Sequence, residues 1–295
     1  MRVLGVISVV ERVSRWTRHD LLIRGPFSDG NQRRKATNYI FTQQQQLLRR
    51  GNTVRLHVSS ENPFASNYQS FDESNCNFGL GHELRQGDTT YLRLPHWANY
   101  CDFEQQGVPS PRHWVRLGKP IQCDKLLRPL DWNFNGHHRA AFIASYLNGQ
   151  RRFLMSRAAL VLPIDGYGKA FDRQIEDHSK SSFTKEDLLK SYRFNFCPEN
   201  SIAPGYVTEK IPESFACGAI PIGYVDPHAN LDFNKEAFVN LYDYLGVGIE
   251  AGLTEELNSK ARQEALTSTP LLKKEFPIEE VITFLRKVVD LASHV

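Results

Sequence analysis

The stretch PENSIAPGYVTEKIPESFACG, residues 198–218, holds the residues of this 295-residue chain best suited to chemistry. Its proline interrupts a run that otherwise has helical spacing. Proline is tolerated in the first turn of a helix, where backbone N–H groups lack intrahelical partners. Pro212 therefore predicts a helix that starts no earlier than Thr208, with Thr208 as its N-cap.

This helix start would place Glu209 and Lys210 in the first turn, beside backbone N–H groups that attract anions. The positive end of the helix dipole disfavours a lysine there, so Lys210 indicates a bound anion such as a phosphate. An ordinary solvated Glu–Lys pair is the alternative interpretation.

Other polar clusters follow predicted strands, where ligands of parallel sheets bind. They contain Glu199, Asn200 and Ser201, then Arg151 and Arg152, and finally Glu61. Asn, Ser, Gly and Pro also occur in loops for conformational reasons alone. Because all three clusters lie at carboxyl ends of strands, we expect two facing sheets to bring them to one cleft.

Short apolar strands alternate with longer helical stretches, which favours an α/β chain with parallel sheets. Strands are predicted at 2–10, 53–59, 89–95, 139–145, 192–198 and 219–225, and helices at 36–51, 153–162, 208–218 and 279–295. An irregular stretch at 101–138 predicts a linker whose last residues are His137 and His138. Adjacent histidines point to different sides, so a solvated loop is favoured there over a metal site.

The length exceeds that of a typical single core and predicts two domains, at 1–135 and 136–275, with a carboxy-terminal helix at 276–295 packing back on the body. An apolar fraction of 41% and a charged fraction of 23% are typical of globular proteins. A net charge of +3 is too small to indicate nucleic-acid binding but suits a phosphorylated small molecule.

The compartment is predicted from cysteine usage and from the lack of apolar runs. No stretch has the length of a transmembrane segment. The five cysteines form no C-x-x-C pair, and no N-x-S/T acceptor occurs. These features favour a reducing cytoplasm, with peripheral contact to a membrane left open.

The segment FNFCPENSIAPGYVTEKIPESFACGAIPIGY resembles the signature of the alpha-1,3/4-fucosyltransferases, glycosyltransferase family 10. The shared pattern is F-x-x-x-x-E-N-S followed by Y-V-T-E-K. DFNKEAFVNLYDY, at 232–244, is also similar to that family, and SSENP and YLRLPHW resemble its acceptor-side domain. The resemblance covers much of residues 54–245.

The resemblance implies a GT-B fold, in which two Rossmann-like domains hold the active site in the cleft between them. It implies transfer of L-fucose, with inversion, from GDP-β-L-fucose to a hydroxyl of a glycan such as a surface polysaccharide. Glu61 would be the catalytic base. The implied donor-binding residues are Arg152, Glu199, Asn200, Ser201, Tyr206, Glu209 and Lys210.

Individual roles also follow from the resemblance. Lys210 and Arg152 would neutralise the diphosphate, with the adjacent Arg151 as an alternative to Arg152. Tyr206 would lie against the phosphates. The hydroxyls of ribose and fucose would bind the side chains of Glu209 and Asn200.

This assignment agrees with the chemistry of an inverting displacement. One carboxylate must take the proton of the attacking hydroxyl, and positive charge must stabilise the departing GDP. The chain has no D-x-D triplet, so a Lys/Arg clamp is expected in place of a metal, and no cofactor is expected. Stimulation by a divalent ion stays open.

Two alternatives keep the nucleotide but change the function. The chain could use another GDP-sugar on the same fold, or bind a sugar nucleotide without transferring it. The presence of Glu61 beside the donor cluster disfavours a pure binding protein, which needs no base.

Overall fold

The computed structural model describes residues 21–25, 54–59, 61–65, 68–106, 117–132, 135–172 and 184–293. The strand predicted at 2–10 and the helix predicted at 36–51 lie outside these residues. The chain forms two compact units, one of 1–99, 103–109 and 277–295, the other of 100–102 and 110–276.

The first unit contains a parallel sheet in the order β1-β2-β3-β4. Its strands are β1 Leu21–Arg24, β2 Val54–Ser59, β3 Phe78–Gly81 and β4 Tyr91–Arg93. All residues of β2 except Arg55 are buried, as expected for a parallel strand covered on both faces. The strands predicted at 53–59 and 89–95 are therefore confirmed, each slightly shorter.

The second unit contains a two-stranded and a five-stranded sheet, both parallel. Its strands are β5 Cys101–Asp102, β6 Ile121–Gln122, β7 His137–Ile143, β8 Ile164–Tyr167, β9 Tyr192–Phe196, β10 Ile220–Gly223 and β11 Val239–Asn240. The larger sheet has the order β11-β10-β9-β7-β8. Large rings fill its core, where Phe142 and Phe196 pack edge to face at 4.9 Å.

The described α-helices are α1 Cys123–Leu126, α2 Gly149–Ala158, α3 Lys185–Lys190, α4 Lys210–Ala216, α5 Ile249–Asn258, α6 Lys260–Ser268 and α7 Ile278–Ser293. Short 3-10 helices lie at His96–Tyr100, Glu104–Gln106, Lys169–Phe171, Pro227–Leu231, Lys235–Ala237 and Leu241–Tyr244. Helix α7 packs against β2 of the first unit. Its Phe284 meets Phe78 edge to face at 6.1 Å.

Three predictions for residues 101–162 differ from the structure. The helix predicted at 153–162 begins at Gly149 instead, because the Asn148 side chain caps it by accepting the Arg151 N–H at 2.8 Å. The stretch 101–138 is not a continuous irregular linker, since it holds β5, β6 and α1. His137 and His138 open strand β7 instead of lying in a loop.

The two units also divide the chain at other points than the predicted domains. Residues 110–135 belong to the second unit, and 277–295 belong to the first. The reason is structural: β5 and β6 pair with each other, and β6 and α1 pack against α4. The predicted domain boundary followed a change in sequence composition. The boundary between the two units follows the packing of the chain, and the two do not coincide.

Two histidines of the first unit are buried. His57 on β2 is 0% exposed and its burial lowers its pKa to about 4. His82, which follows β3, is 2% exposed, and burial, followed by the charges of His96 and Arg93, lowers its pKa to about 4. Both imidazoles are therefore neutral at pH 7.

We predict that the buried His57 makes the protein less stable in mild acid. In the unfolded chain a histidine binds a proton below about pH 6.5, whereas folded His57 does so only near pH 4. The free energy of unfolding should therefore fall as the pH falls through that window, by up to about 3 kcal/mol for this group. Urea unfolding at pH 7, 5.5 and 4.5 measures the change.

The variant His57→Leu replaces the titrating imidazole with an apolar side chain of similar size. Its unfolding free energy should depend less on pH between 7 and 4.5 than that of the wild type. Equal pH dependence in the two proteins would contradict the role given to His57.

Candidate functional site

The order of the larger sheet identifies the edge at which a ligand is expected. The chain continues from β7 outward to β8 on one side, and from β9 outward to β10 and β11 on the other. The strand order therefore reverses between β7 and β9. Ligands of open parallel sheets bind beyond the carboxyl ends of the strands at such a switch point.

A buried ion pair lies directly beyond β9. The Lys210 ammonium donates to Glu199 Oε2 at 2.6 Å and to Thr208 Oγ1 at 2.7 Å. Glu199 Oε1 accepts the Thr208 backbone N–H at 2.8 Å and the Thr208 hydroxyl at 2.7 Å. Three residues thus connect the end of β9 to the start of α4.

The charges of this network stabilise each other. Glu199 is 0% exposed, and a carboxylate buried without partners would be costly. Burial by itself would lower the pKa of Lys210, but attraction to Glu199 and then to Glu209 outweighs it and raises that pKa. Lys210 therefore carries a positive charge at neutral pH.

The network corrects one prediction. Helix α4 begins at Lys210, which agrees with a start no earlier than Thr208, but Thr208 is not its N-cap, because the Thr208 N–H and hydroxyl are bonded to Glu199. Pro212 is the third residue of the helix, so its prediction in the first turn is confirmed. Glu199 was predicted to bind the donor, and this stays a prediction; in the structure its buried oxygens bond to Thr208 and Lys210.

A second polar group lies beyond β7 and reaches the β9 loop. The Arg151 guanidinium donates to the Tyr146 carbonyl at 2.7 Å and to Asn200 Oδ1 at 3.2 Å. It also lies 4.9 Å from the centre of the Phe142 ring. The Asn148 side chain donates to the Asn200 carbonyl at 2.7 Å, so the two loops are joined twice.

The two adjacent arginines of α2 have different environments. Arg151 is 4% exposed and engaged with the protein, whereas Arg152 is exposed. Arg152 makes one long contact, from its Nε to the Leu147 carbonyl at 3.4 Å. Successive helical residues point about 100° apart, which explains why one arginine supports the loops and the other faces solvent.

The remaining predicted donor residues lie in the loop between β9 and α4. Ser201 is half-buried, while Tyr206 and Glu209 are each 4% exposed. The Tyr206 N–H donates to the Ala203 carbonyl at 3.1 Å. Sequence reasoning missed the positioning roles of Thr208 and Asn148, and the N-cap preference of asparagine was the one available signal.

The predicted base lies in the other unit and is described by itself. Glu61 follows the carboxyl end of β2 and is exposed. The turn after it is held by Asn62, whose Oδ1 accepts the Phe64 N–H at 2.9 Å. Glu61 thus occupies the end of a parallel strand, as its sequence context predicts.

Two features are absent from the described residues. In these ranges, no group of three or more His, Cys, Asp or Glu side chains is arranged to hold a metal ion. None of the helices placed by the structure is both long and apolar enough to cross a membrane.

Comparison with known proteins matches the carboxy-terminal part of the candidate site to a known family. Residues 137–263 match the family model of glycosyltransferase family 10 (fucosyltransferase), carboxy-terminal domain. The alpha-(1,3)-fucosyltransferase FucT of Helicobacter pylori is 26% identical over 216 residues, which are 67% of this chain and 43% of that protein. The chain thus spans less than half the length of this relative.

Solved structures agree on the fold. A crystal structure of an alpha1,3-fucosyltransferase with GDP-fucose has a TM-score of 0.59 at 22% identity, covering 82% of this chain and 76% of that one. One with GDP has a TM-score of 0.57 at 19% identity, covering 92% and 90%. The predicted GT-B architecture of two Rossmann-like domains is confirmed, and the position of the active site relative to them stays a prediction.

We predict that Glu199→Gln lowers the free energy of unfolding by about 3 kcal/mol, because it removes one charge of a buried pair. The matched control is Asp72→Asn, which alters a carboxylate whose side chain is 72% exposed and pairs with Arg85 at 2.8 Å. That exposed pair should contribute about 1 kcal/mol or less. Urea unfolding followed by circular dichroism measures both variants, and equal losses would contradict the role of the Glu199–Lys210 pair.

Proposed function

We propose that the chain is a fucosyltransferase of glycosyltransferase family 10, because residues 137–263 match the carboxy-terminal model of that family. The proposed reaction transfers L-fucose from GDP-β-L-fucose to a hydroxyl of a glycan acceptor, with inversion and an alpha-1,3- or alpha-1,4-type linkage. The proposed partners are therefore a GDP-sugar donor and a glycan.

The observation that carries the proposal is the cation cluster at the switch point of the larger sheet. Lys210 stays charged because it is attracted to Glu199 and Glu209, and its ammonium donates to Glu199 and Thr208. The exposed guanidinium of Arg152 lies on α2, which follows β7, the strand next to β9. Two cations at the carboxyl ends of adjacent parallel strands suit a diphosphate.

The proposed chemistry assigns these cations to the leaving group. As the bond between fucose and GDP breaks, negative charge builds up on the diphosphate, and Lys210 and Arg152 stabilise it. Arg151 holds the Asn200 side chain, which would contact a sugar hydroxyl. Tyr206, Ser201 and Glu209, in the loop after β9, would complete the donor site.

Glu61 is the proposed general base. An inverting displacement needs a carboxylate that takes the proton of the acceptor hydroxyl as its oxygen attacks the anomeric carbon. Glu61 is exposed, as a group that meets an acceptor must be. The turn that follows Glu61 is held by the Asn62 side chain, which accepts the Phe64 N–H.

Metal dependence and location complete the proposal. We propose that the cationic side chains make a metal unnecessary for binding the diphosphate, with stimulation by a divalent ion left open. The cysteines are free and no N-x-S/T acceptor occurs in the sequence. These features support a cytoplasmic location, with peripheral membrane contact left open. No nucleic-acid partner is proposed.

Two alternatives are separated by one assay. Incubating the protein with GDP-fucose, GDP-mannose and related GDP-sugars, each with a panel of glycans, and measuring GDP release and labelled product identifies the donor. Product from GDP-fucose alone supports the proposal. Product from another GDP-sugar indicates a different transferase, and GDP binding without any product indicates a binding protein.

We predict that Glu61→Gln lowers kcat by about 10²- to 10⁴-fold, the usual contribution of a general base. The affinity for GDP should stay nearly unchanged, because the phosphate-binding cations are intact. Glu104→Gln, which alters another exposed carboxylate of the chain, is the control and should keep full activity. Loss of GDP affinity together with activity would contradict the assigned role of Glu61.

We predict that Arg152→Ala raises the Kd for GDP about tenfold, since a hydrogen bond to a charged group contributes about 1.5 kcal/mol or more. Arg157→Ala is the matched control, because Arg157 lies on the same helix and pairs with Glu250. Its GDP affinity should equal that of the wild type. Isothermal titration measures both, and an unchanged Kd for Arg152→Ala would exclude this arginine from the phosphate site.

A further inference from the structure

A histidine whose ring is held by a carboxylate lies beyond strand β10. Asp226 Oδ1 accepts the His228 backbone N–H at 2.9 Å and also lies 2.6 Å from the ring Nδ1 of His228. Because an ionised carboxylate can only accept hydrogen bonds, the ring donates through an Nδ1–H group. In the neutral ring, Nε2 then carries the lone pair and accepts a hydrogen bond.

The two side chains of this pair differ in exposure. The Asp226 side chain is 12% exposed, whereas that of His228 is 52% exposed. In the part of the chain that the structure describes, His228 bonds through its backbone N–H and Nδ1, which leaves Nε2 available to a ligand. The N-cap of the 3-10 helix at Pro227–Leu231 needs only the backbone N–H, so the held ring is a feature beyond the cap.

The pair lies at the same edge of the sheet as the buried ion pair. Strand β10 runs parallel to β9, and beyond their carboxyl ends the Glu199 N–H donates to the Tyr224 carbonyl at 3.2 Å. Asp226 follows two residues after that contact. Glu199 is also the carboxylate that binds the Lys210 ammonium. His228 therefore occupies the edge at which ligands of parallel sheets bind.

We propose that His228 is a further donor-binding residue, whose Nε2 accepts a hydrogen bond from a hydroxyl of the ribose or the fucose of the GDP-sugar. A hydroxyl fits this atom better than a phosphate oxygen does, because Nε2 of the neutral ring and a phosphate oxygen are both acceptors. Asp226 is then a positioning residue, since it acts on the ligand through the ring. The inference rests on the proposed function, which supplies the GDP-sugar.

Isothermal titration with GDP-fucose and with GDP tests the role of His228. His228→Phe keeps a planar ring and removes both nitrogens, so the Kd for GDP-fucose should rise about fivefold, the effect of one lost hydrogen bond. An equal rise for GDP assigns the hydroxyl to ribose, and a rise for GDP-fucose alone assigns it to fucose. The matched control is His138→Phe, because His138 is exposed and lies at the opposite, amino-terminal edge of the same sheet. Its Kd values should equal those of the wild type.

Asp226→Asn tests the positioning role. The asparagine oxygen can still cap the 3-10 helix, but it binds the ring less strongly than a carboxylate does. The Kd for GDP-fucose should rise about threefold while Tm stays that of the wild type. Adding Asp226→Asn to His228→Phe should raise Kd no further, because the carboxylate acts only through the imidazole. A further rise in the double variant would show that Asp226 acts by another route.

Failure of this inference differs from failure of the proposed function. If the wild type binds GDP-fucose and transfers fucose while His228→Phe leaves both Kd values unchanged, the inference alone is overturned. If the wild type neither binds GDP-fucose nor releases GDP, both are overturned. His228→Ala should show the same rise in Kd as His228→Phe, which keeps the test independent of how the phenyl ring packs.

Discussion

A single buried carboxylate determines how the chain passes from β9 into α4. Glu199 is 0% exposed, and burial of an ionised group requires partners that offset the lost hydration. Thr208 supplies a backbone N–H and a hydroxyl, and Lys210 supplies the opposite charge. Because these partners lie nine and eleven residues further on, the intervening loop must fold back over the end of the strand.

This constraint explains features that looked unrelated in the sequence. Thr208 is bonded to Glu199, so it stays outside the helix and α4 starts at Lys210. Pro212 then falls in the first turn, where its missing N–H costs nothing. The helix dipole disfavours a cation at the start of α4. Lys210 is tolerated there because the Glu199 carboxylate balances its charge.

The neighbouring arginines of α2 lie in contrasting environments. Arg151 faces inward, where it holds the Tyr146 carbonyl and the Asn200 side chain. Arg152, one position later, faces solvent. Helical geometry alone separates the buried side chain from the exposed one. Buried ionic and polar contacts therefore support the residues of the proposed donor site.

Much of the fold was predictable because it depends on local sequence. Apolar runs of strand length marked β2, β4, β7, β9 and β10, and the position of Pro212 limited the start of α4. The segment from Glu199 to Lys210 was also recognisable as a candidate site, since polar residues at the carboxyl end of a parallel strand favour ligand binding.

The amino-acid sequence by itself thus determined the fold class, the main strands and the segment that carries Lys210. Only the tertiary structure decided that Glu199 supports Lys210, that Arg151 is buried while Arg152 is exposed, and that α7 returns to the first unit. The physical reason is that hydrophobic periodicity and turn chemistry act over a few residues. Burial and charge pairing depend on which distant segments meet, and no local pattern encodes that.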